Sequence, residues 1–364
     1  MSEQDTSYLK QLDGIRFIAV SLVLIDHWSE ETIKLPLGFL GVCLFFVLSG
    51  FLITRILMNA KQKDDLLERS HGFSLKQFYI RRTIRIFPIY YLSIFVLYVL
   101  NVPPVRDKII WCLTYSTNIY IAIHESWLGV IDHLWSLAVE EQFYLFFPFV
   151  VFFIPARYLT KILFGFIGLS VLIRLVLYLK GVDWMASYVL MPTCLDAFGM
   201  GGLLAYFFYH KNNKVKAFIT NKVWLLVSLL IYIAVVIISK QISTGQNIIT
   251  IVFLRFFESV LSVFLVGNAA YSFSGFMQKL LENPISVYLG RISYGLYIYH
   301  NFVYNFYHSS PSHPTVKLLN KLPFIAQHLP LKMLFLYMLT VLVATVSWYL
   351  IEKPINKWKD KFGY

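Results

Sequence analysis

The feature that most constrains the fold of this chain is a succession of apolar stretches, each long enough to cross a bilayer. A membrane-spanning helix needs about 20 mostly apolar residues, and about ten segments fit that template. The segments are 12–28, 38–59, 84–101, 134–154, 160–179, 194–209, 222–239, 250–269, 286–307 and 331–351. With 58% apolar and 14% charged residues, a soluble domain is excluded. We therefore expect a single all-α domain over residues 1–364, a polytopic membrane bundle of about ten transmembrane helices.

Basic residues predict how this bundle is oriented. The net charge is +12, and lysines and arginines concentrate after the second and sixth segments and in the C-terminal tail. Cytoplasmic loops are rich in Lys and Arg, so both termini are expected in the cytoplasm, with the chain in a bacterial inner membrane. Because these charges lie between apolar runs, they favour contact with anionic membrane lipid over nucleic acid. The polar N-terminus, residues 1–10, predicts no cleavable signal peptide.

Two further features are expected to be structural. Segment 109–123 is apolar but interrupted by Thr, Ser and Asn, which predicts an interfacial or re-entrant piece. Cys43, Cys112 and Cys194 have no paired spacing, so they are interpreted as buried small side chains, with neither a disulfide framework nor a metal site.

Arg16 and His27 are the first candidate functional pair. They are eleven residues apart in one apolar helix, which returns them to almost the same face about 16 Å apart along the axis. Ionisable groups inside a membrane mark functional sites by default. A neutral imidazole can take a proton from a hydroxyl and return it to a leaving group, so His27 is a candidate general base, with the neighbouring Asp26 able to orient or charge it. A topology anchor and a packing histidine are the alternative.

Three arginines begin the third segment: Arg81, Arg82 and Arg85. They satisfy the positive-inside rule on their own, but guanidinium groups also bind phosphates through paired hydrogen bonds. Acyl-CoA carries several phosphates and is present in the cytoplasm. We therefore expect Arg82 and Arg85, with Arg16, to bind an acyl-CoA donor.

Residues 133–144, at the start of the fourth segment, contain a polar face. His133, Ser136, Glu140 and Tyr144 are spaced by three, four and four residues, and Glu141 follows Glu140. A carboxylate facing a cavity can bind an acceptor hydroxyl or pair with an arginine, whereas acids at a span entrance can also be solvated headgroup contacts. A Ser136–His133–Glu140 hydrolytic triad is conceivable from the spacing alone.

A second polar stripe lies on the ninth segment. Ser293, Tyr297 and His300 share a helical face, and they either line the same cavity or are satisfied by neighbouring helices. The Ser49-Gly50 pair in 42–53 favours close helix packing, with room for a ligand chain as the alternative. Asp196, Arg255, Glu258 and Glu352 are interpreted as members of internal ion pairs.

Taken together, these segments resemble the acyltransferase 3 family of integral membrane acyltransferases. The resemblance rests on five motifs in order along the chain: the Arg16-to-His27 spacing, residues 45–53, the Arg-x-x-Arg pattern of Arg82 and Arg85, residues 135–144, and residues 292–297 with 352–354. Individually these motifs are weak, but together they cover essentially the whole chain.

The resemblance implies O-acyl transfer, commonly of acetyl, from cytoplasmic acyl-CoA to a hydroxyl of a cell-surface carbohydrate or glycolipid. It implicates Arg16, His27, Arg82 and Arg85 in activity, with acyl-CoA as a substrate and no tightly bound cofactor. Some relatives append an extracytoplasmic hydrolase-like domain. Since this sequence ends at Tyr364, shortly after its last predicted span, we expect direct transfer or hand-off to a separate extracytoplasmic partner.

On this basis His27 is expected to deprotonate the acceptor hydroxyl, and Glu140 to position the acceptor from the outer side, opposite the arginines. His133, Ser136, Glu141, Tyr144, Ser293, Tyr297 and His300 are expected to line the acceptor cavity. A glycolipid transporter or flippase that uses the same cavity without chemistry is the alternative. Such a transporter commonly has internal symmetry between its halves, and none is visible in this sequence.

Overall fold

The computed structural model describes residues 8–29, 32–242 and 247–363. Throughout these residues the regular structure is helical, without strands. The long helices are, in chain order, α1 (Lys10–Trp28), α2 (Leu37–Leu66), α3 (His71–Val99), α4 (Leu134–Phe153), α5 (Ala156–Leu179), α6 (Leu195–Tyr209), α7 (Lys222–Ile242), α8 (Arg255–Ala270), α9 (Pro284–Arg291), α10 (Ser293–Val303) and α11 (Leu329–Ser347). The all-α polytopic membrane fold predicted from the sequence is therefore confirmed.

Short helices connect the long ones. They are Ile109–Leu113, Thr117–His124, Gly129–Ile131, Trp184–Val189, Met191–Cys194, Asn213–Thr220, Phe276–Glu282, Pro314–Asn320, Pro323–Gln327, Lys353–Asn356 and Lys357–Lys361. Two wider π-helical turns, Ile249–Leu254 and Trp348–Glu352, continue into α8 and out of α11. The apolar segment 109–123 thus forms two short helices, separated by Tyr115 in a left-handed backbone conformation.

Each of the ten predicted segments coincides with a long helix or a pair of helices. By length and composition alone, seven helices of the described chain can cross a membrane. Three of the predicted segments are not among those seven, namely the ones that form α1, α6 and the α9–α10 pair. Since α6 has 15 residues and the predicted segment 286–307 is divided at Ile292, neither is a continuous helix of about 20 residues.

Glycine residues bring α2 and α6 into close contact. A Cβ atom at Gly50 would overlap the carbonyl of Phe198, and one at Gly201 would overlap the carbonyl of Val47. Small residues permit this approach between membrane helices. The packing interpretation of Gly50 is therefore confirmed, and α2 lies at the centre of the bundle between α1, α4, α6 and α8.

Several buried charges outside the two polar cavities described below have a structural partner. Arg174 and Asp196 form a fully buried ion pair with an N–O distance of 2.7 Å. Arg255 donates to the carbonyl of Tyr188 at 2.6 Å, and Ser347 donates to Glu352 at 3.3 Å. The ion-pair interpretation holds for Asp196, whereas Arg255, Glu258 and Glu352 form no ion pair among the described residues. Cys43, Cys112 and Cys194 are free and buried, as predicted.

Candidate active site

The first part of the site is a cavity of about 200 Å³ between α1, α2, α3, α4 and α10, which we call the arginine cavity. Its polar lining consists of Arg16, Ser49, Arg82, Arg85, Ser136, Glu140, Glu141, Tyr144, Ser293, Tyr294 and Tyr297. These side chains come from distant parts of the sequence. The helical spacing within each motif predicts which of its residues share a face, because residues three or four apart are neighbours on a helix.

The three arginines of this cavity differ in their partners. Arg16 forms an ion pair with Asp13, one turn earlier on α1, at 2.5 Å. Arg82 lies over the ring of Tyr144, 5.2 Å from its centroid. Within the described parts of the chain, Arg82 and Arg85 form no ion pair, and Arg85 is exposed to the cavity. Two guanidinium groups one helical turn apart can therefore bind an anionic ligand.

Glu140 joins a short chain of hydrogen bonds in the same cavity. Its carboxylate accepts from the hydroxyl of Ser49 at 2.7 Å, and the hydroxyl of Tyr144 donates to Ser49 at 2.9 Å. Tyr144 in turn lies under the guanidinium of Arg82. The carboxylate, two hydroxyls and a cation thus form one connected group across α2, α3 and α4.

The second part of the site is a larger cavity of about 700 Å³ at the other end of α1, which we call the histidine cavity. Its polar and aromatic lining consists of Asp26, His27, Ser29, Phe39, Trp127, Asp132, His133, Trp135, Trp184, Tyr188, Tyr297, Asn301, Asn305, Phe306, Tyr307 and His308. A neighbouring apolar cavity of about 670 Å³ shares Asp26, Trp184 and Tyr188 with it and extends between α2, α7 and the turn before α8.

His27 is held by two residues of α10. Its Nδ1 lies 2.8 Å from Nε2 of His300 and 3.2 Å from the side-chain oxygen of Asn301. Asn301 also donates to Nδ1 of His133 at 3.1 Å. His27 and His133 therefore both contact the amide of Asn301, and His300 contacts His27. The Nε2 atom of His27 makes no hydrogen bond to any described residue.

Two carboxylates lie in the histidine cavity. Asp26 accepts backbone N–H bonds from Leu37 and Gly38, at the start of α2. It forms no hydrogen bond with His27, whose partners are His300 and Asn301, but its charge lies close enough to interact with that imidazole. Asp132 lies 4.0 Å from His308, and one of its oxygens has no hydrogen-bond partner among the described residues. Burial raises the pKa of Asp132 to about 7.

The two cavities meet at Val42 and Tyr297, which line both. The hydroxyl of Tyr297 lies 2.6 Å from that of Ser136 and donates to the carbonyl of His133 at 3.2 Å. Arg16 and His27 lie on opposite sides of this junction, about 16 Å apart along α1. The shared face predicted for this pair therefore corresponds to a line of two adjoining cavities.

The structure corrects the predicted position of Glu140. Sequence reasoning placed Glu140 opposite the arginines, on the acceptor side. Instead Glu140 lines the same cavity as Arg16, Arg82 and Arg85, because α4 carries it inward from His133 by almost two helical turns. Of the four residues on that face, His133 is the one that lines the histidine cavity. Tyr297 from α10 also lines it.

The hydrolytic triad suggested by spacing is wrong. Ser136 donates to the backbone carbonyl of His133, and its side-chain partner is Tyr297. The imidazole of His133 contacts Ile298 and Asn301, while Glu140 contacts Ser49. No proton path joins serine, histidine and carboxylate in that order.

The other predicted cavity residues do not all line the acceptor cavity. Glu141, Tyr144 and Ser293 line the arginine cavity, whereas His300 is fully buried, lines neither cavity and contacts His27 directly. Sequence reasoning missed Asn301, Asp132 and the aromatic residues Trp127, Trp184 and Tyr188. Asn301 and Asp132 each adjoin a candidate histidine, at positions 300 and 133, which is the only signal that the sequence offers.

The fold and these cavities define an integral membrane protein with a polar, cation-lined interior. The chain belongs to the acyltransferase 3 family, because the model of that family, described as an acyltransferase domain, matches residues 9–350. It is therefore an enzyme of the acyltransferase class.

Three relatives illustrate the similarity. A presumed O-acetyltransferase of Staphylococcus aureus (strain COL) is 31% identical over 96% of this chain and 58% of its own length. The peptidoglycan O-acetyltransferase OatA of Listeria monocytogenes is 28% identical over 96% and 56%, and the O-acetyltransferase OatA of S. aureus (strain NCTC 8325) is 29% identical over 96% and 57%. The chain thus spans little more than half the length of these relatives. No solved structure matches it.

Proposed function

We propose that this protein transfers an acetyl group from acyl-CoA to a hydroxyl of a cell-surface carbohydrate or glycolipid, with His27 as the general base. The observation that carries the proposal is the pair of adjoining cavities that share Val42 and Tyr297 in their walls, one lined by arginines and one by His27. Such an arrangement lets two substrates enter from opposite ends and meet at the junction.

The arginine cavity is suited to the phosphates of the donor. Arg82 and Arg85 lie one turn apart on α3 and form no ion pair among the described residues, so phosphate oxygens can bind both. Glu140, with Ser49 and Tyr144, lies beside Arg82 and is proposed to hold it in position. Acyl-CoA acts as a substrate here, and no tightly bound cofactor is proposed.

The length of α1 fits the reach of the donor. The phosphates would lie near Arg16, Arg82 and Arg85, and the thioester near His27, about 16 Å away along α1. An extended pantetheine arm can cover that span. The arm would pass the junction between Val42 and Tyr297, where the apolar side chain of Val42 offers contact to its methylene groups.

The proposed reaction at His27 is a general-base acyl transfer. The acceptor O–H bond breaks, its proton moves to His27, and the hydroxyl oxygen forms a bond to the thioester carbon. The carbon–sulfur bond then breaks, and His27 returns the proton to the departing thiolate. Acyl-CoA and an alcohol give an ester and free CoA, so no oxidant, metal or further reactant is needed.

The histidine cavity is suited to a sugar acceptor. The rings of Trp127 and Trp184 lie 6.1 Å apart, and Trp184 lies 5.7 Å from Tyr188, which offers flat apolar surfaces. The carboxylate of Asp132 and the amide of Asn305 line the same cavity and can bind hydroxyl groups. The name of the L. monocytogenes relative, a peptidoglycan O-acetyltransferase, supports a carbohydrate acceptor for this chain.

The proposal also specifies location. The arginine cavity would open to the cytoplasm and the histidine cavity to the outside, with both termini cytoplasmic in a bacterial inner membrane. A separate extracytoplasmic partner would be needed if the acetyl group leaves this chain on a carrier. Anionic lipid would contact the basic loops.

Mass spectrometry of surface glycans tests the proposed function. Cells that carry the gene should contain hydroxyl groups with the added mass of an acetyl group, and cells without it should lack them. Purified protein should move radiolabel from acetyl-CoA to the isolated glycan. Identical glycans in both strains, with no transfer by the pure protein, would contradict the proposal.

A further inference from the structure

The hydrogen bonds around His27 determine which of its two ring nitrogens carries a proton. His300 provides the first constraint. Its Nδ1 lies 2.5 Å from the carbonyl oxygen of Tyr297, and a carbonyl can only accept. Nδ1 of His300 is therefore protonated. In neutral His300 the other nitrogen, Nε2, has a free lone pair and must accept the proton that Nδ1 of His27 shares with it at 2.8 Å.

Asn301 and His133 provide a second, separate constraint. Nε2 of His133 lies 3.1 Å from the carbonyl of Ile298, so it is protonated, and Nδ1 of neutral His133 accepts from the amide nitrogen of Asn301 at 3.1 Å. This fixes the orientation of the amide. Its oxygen then faces Nδ1 of His27 at 3.2 Å, and that contact is a hydrogen bond only if Nδ1 of His27 carries the proton.

Both constraints assume that His133 and His300 are neutral, and the surroundings favour this. Both side chains are buried, and in the described structure neither contacts a carboxylate. A positive charge on either buried ring would lie beside two other imidazoles and no carboxylate, so it would be costly. The titratable groups that face His27 are His300 on α10, His133 before α4, and Asp26 on its own helix, which is bonded to the start of α2.

We infer that His300 and Asn301 are positioning residues that hold His27 in its Nδ1–H form, so that Nε2 is the atom that receives the acceptor's proton. The inference rests on the proposed function. When Nε2 takes the proton, the positive charge on His27 is stabilised by two acceptors already in place, Nε2 of His300 and the oxygen of Asn301. In many enzymes a carboxylate orients the catalytic histidine and stabilises its charged form, and here a histidine and an amide do so.

Two variants test this arrangement by kinetics. His300→Gln disturbs the ring nitrogen that accepts from His27, and we expect a fall in kcat of about 10- to 1,000-fold with little change in KM for acyl-CoA. Asn301→Asp keeps the shape but places a negative charge beside His27. That charge stabilises protonated His27, so the loss of activity on acidification should occur about 1–3 pH units higher than in the parent protein.

His313→Gln is the matched control. His313 also bonds a carbonyl of α10, that of Phe302, at 3.2 Å, but it does not line the histidine cavity. It should retain the parent kcat and pH profile. Monodispersity in detergent and unchanged acyl-CoA binding would establish that all three variants fold.

A spectroscopic measurement keeps the inference testable if the buried variant at 300 misfolds. In protein labelled with ¹⁵N-histidine, the His27 signals are those lost in the His27→Ala spectrum. At neutral pH they should show a protonated Nδ1 and an unprotonated Nε2. The opposite tautomer, or an unchanged kcat and pH profile in both Asn301→Asp and His300→Gln, would overturn the inference. An active His27→Ala protein would instead contradict the proposed function itself.

Discussion

The hydroxyl of Tyr297 lies 2.6 Å from the hydroxyl of Ser136, at the wall that separates the arginine cavity from the histidine cavity. This contact joins α10 to α4 between the two cavities, which share the lining residues Val42 and Tyr297. Because α10 also carries His300 and Asn301, the same helix lines the wall between the cavities and contacts the proposed base. α10 therefore contacts both the proposed path of the donor and the proposed base, His27.

Narrowing the junction should stop transfer without stopping donor binding. Val42 lines both cavities from α2, so Val42→Phe places a ring in the proposed path of the pantetheine arm. We expect a loss of acetyl transfer of at least about 100-fold, while binding of free CoA changes little, because the phosphate site is untouched. Equilibrium binding of labelled CoA and a transfer assay measure the two effects. Val42→Ala, which leaves the route open, is the control, and normal turnover by Val42→Phe would rule out this route.

Removing either cavity-facing arginine of α3 should weaken the use of acyl-CoA. Charge-assisted hydrogen bonds contribute about 1.5–3 kcal/mol, so Arg82→Ala or Arg85→Ala should raise the KM for acyl-CoA about ten- to hundredfold. Lysine should rescue only partly, because it lacks the planar pair of donors. Arg157→Ala, an exposed arginine at the start of α5, is the control. An unchanged KM in both variants would reduce these arginines to orientation signals.

Cysteine labelling tests the proposed orientation of the cavities. Ser126 lies exposed in the loop before α4, and Leu67 lies exposed just after α2, so single cysteines at both sites are reachable by a permeant reagent. In intact spheroplasts, an impermeant reagent should label position 126 and leave position 67 unlabelled. The reverse pattern would place the arginine cavity on the side away from cytoplasmic acyl-CoA.

Acceptor affinity should depend on the ionisation of Asp132. Burial raises the pKa of Asp132 to about 7, so its carboxylate is largely protonated below that pH and charged above it. If the charged form binds acceptor hydroxyls, the KM for the acceptor should fall as the pH rises through about 7. His308 lies 4.0 Å from Asp132, so its contribution must be separated from that of the carboxylate.

Asp132→Asn separates these two contributions. It should remove the fall in acceptor KM and leave the KM for acyl-CoA unchanged, whereas His308→Gln should retain the fall. If the acceptor KM of Asp132→Asn still changes with pH as in the parent, Asp132 is not part of the acceptor site.

The helical pattern of this chain could be predicted because apolar length is a local property. The segments 12–28, 134–154 and 222–239 each match a single helix closely, since about 20 apolar residues have few other ways to satisfy their backbone in lipid. The break at Ile292 could not be seen in this way. The two helices on either side of it are both apolar, so the hydropathy pattern does not detect the break.

The candidate site could be predicted only in part, because it depends on contacts between distant segments. The spacing of Ser136, Glu140 and Tyr144 correctly predicts a common cavity face, but not which other helices complete that cavity. Glu140 was therefore assigned to the wrong end. Likewise, the contact between His27 and Asn301 joins residues 274 positions apart, and no local pattern marks an asparagine as the partner of a distant histidine.

The most direct test of the account is the rate of acetyl transfer by His27→Ala in purified, monodisperse protein at saturating acetyl-CoA. General-base catalysis contributes about 10²–10⁴-fold, so kcat should fall by that factor while CoA binding is retained, and added imidazole should restore part of the rate. Arg157→Ala, prepared in parallel, should match the parent. A His27→Ala protein that transfers acetyl at the parent rate would contradict the assignment of His27 as the base.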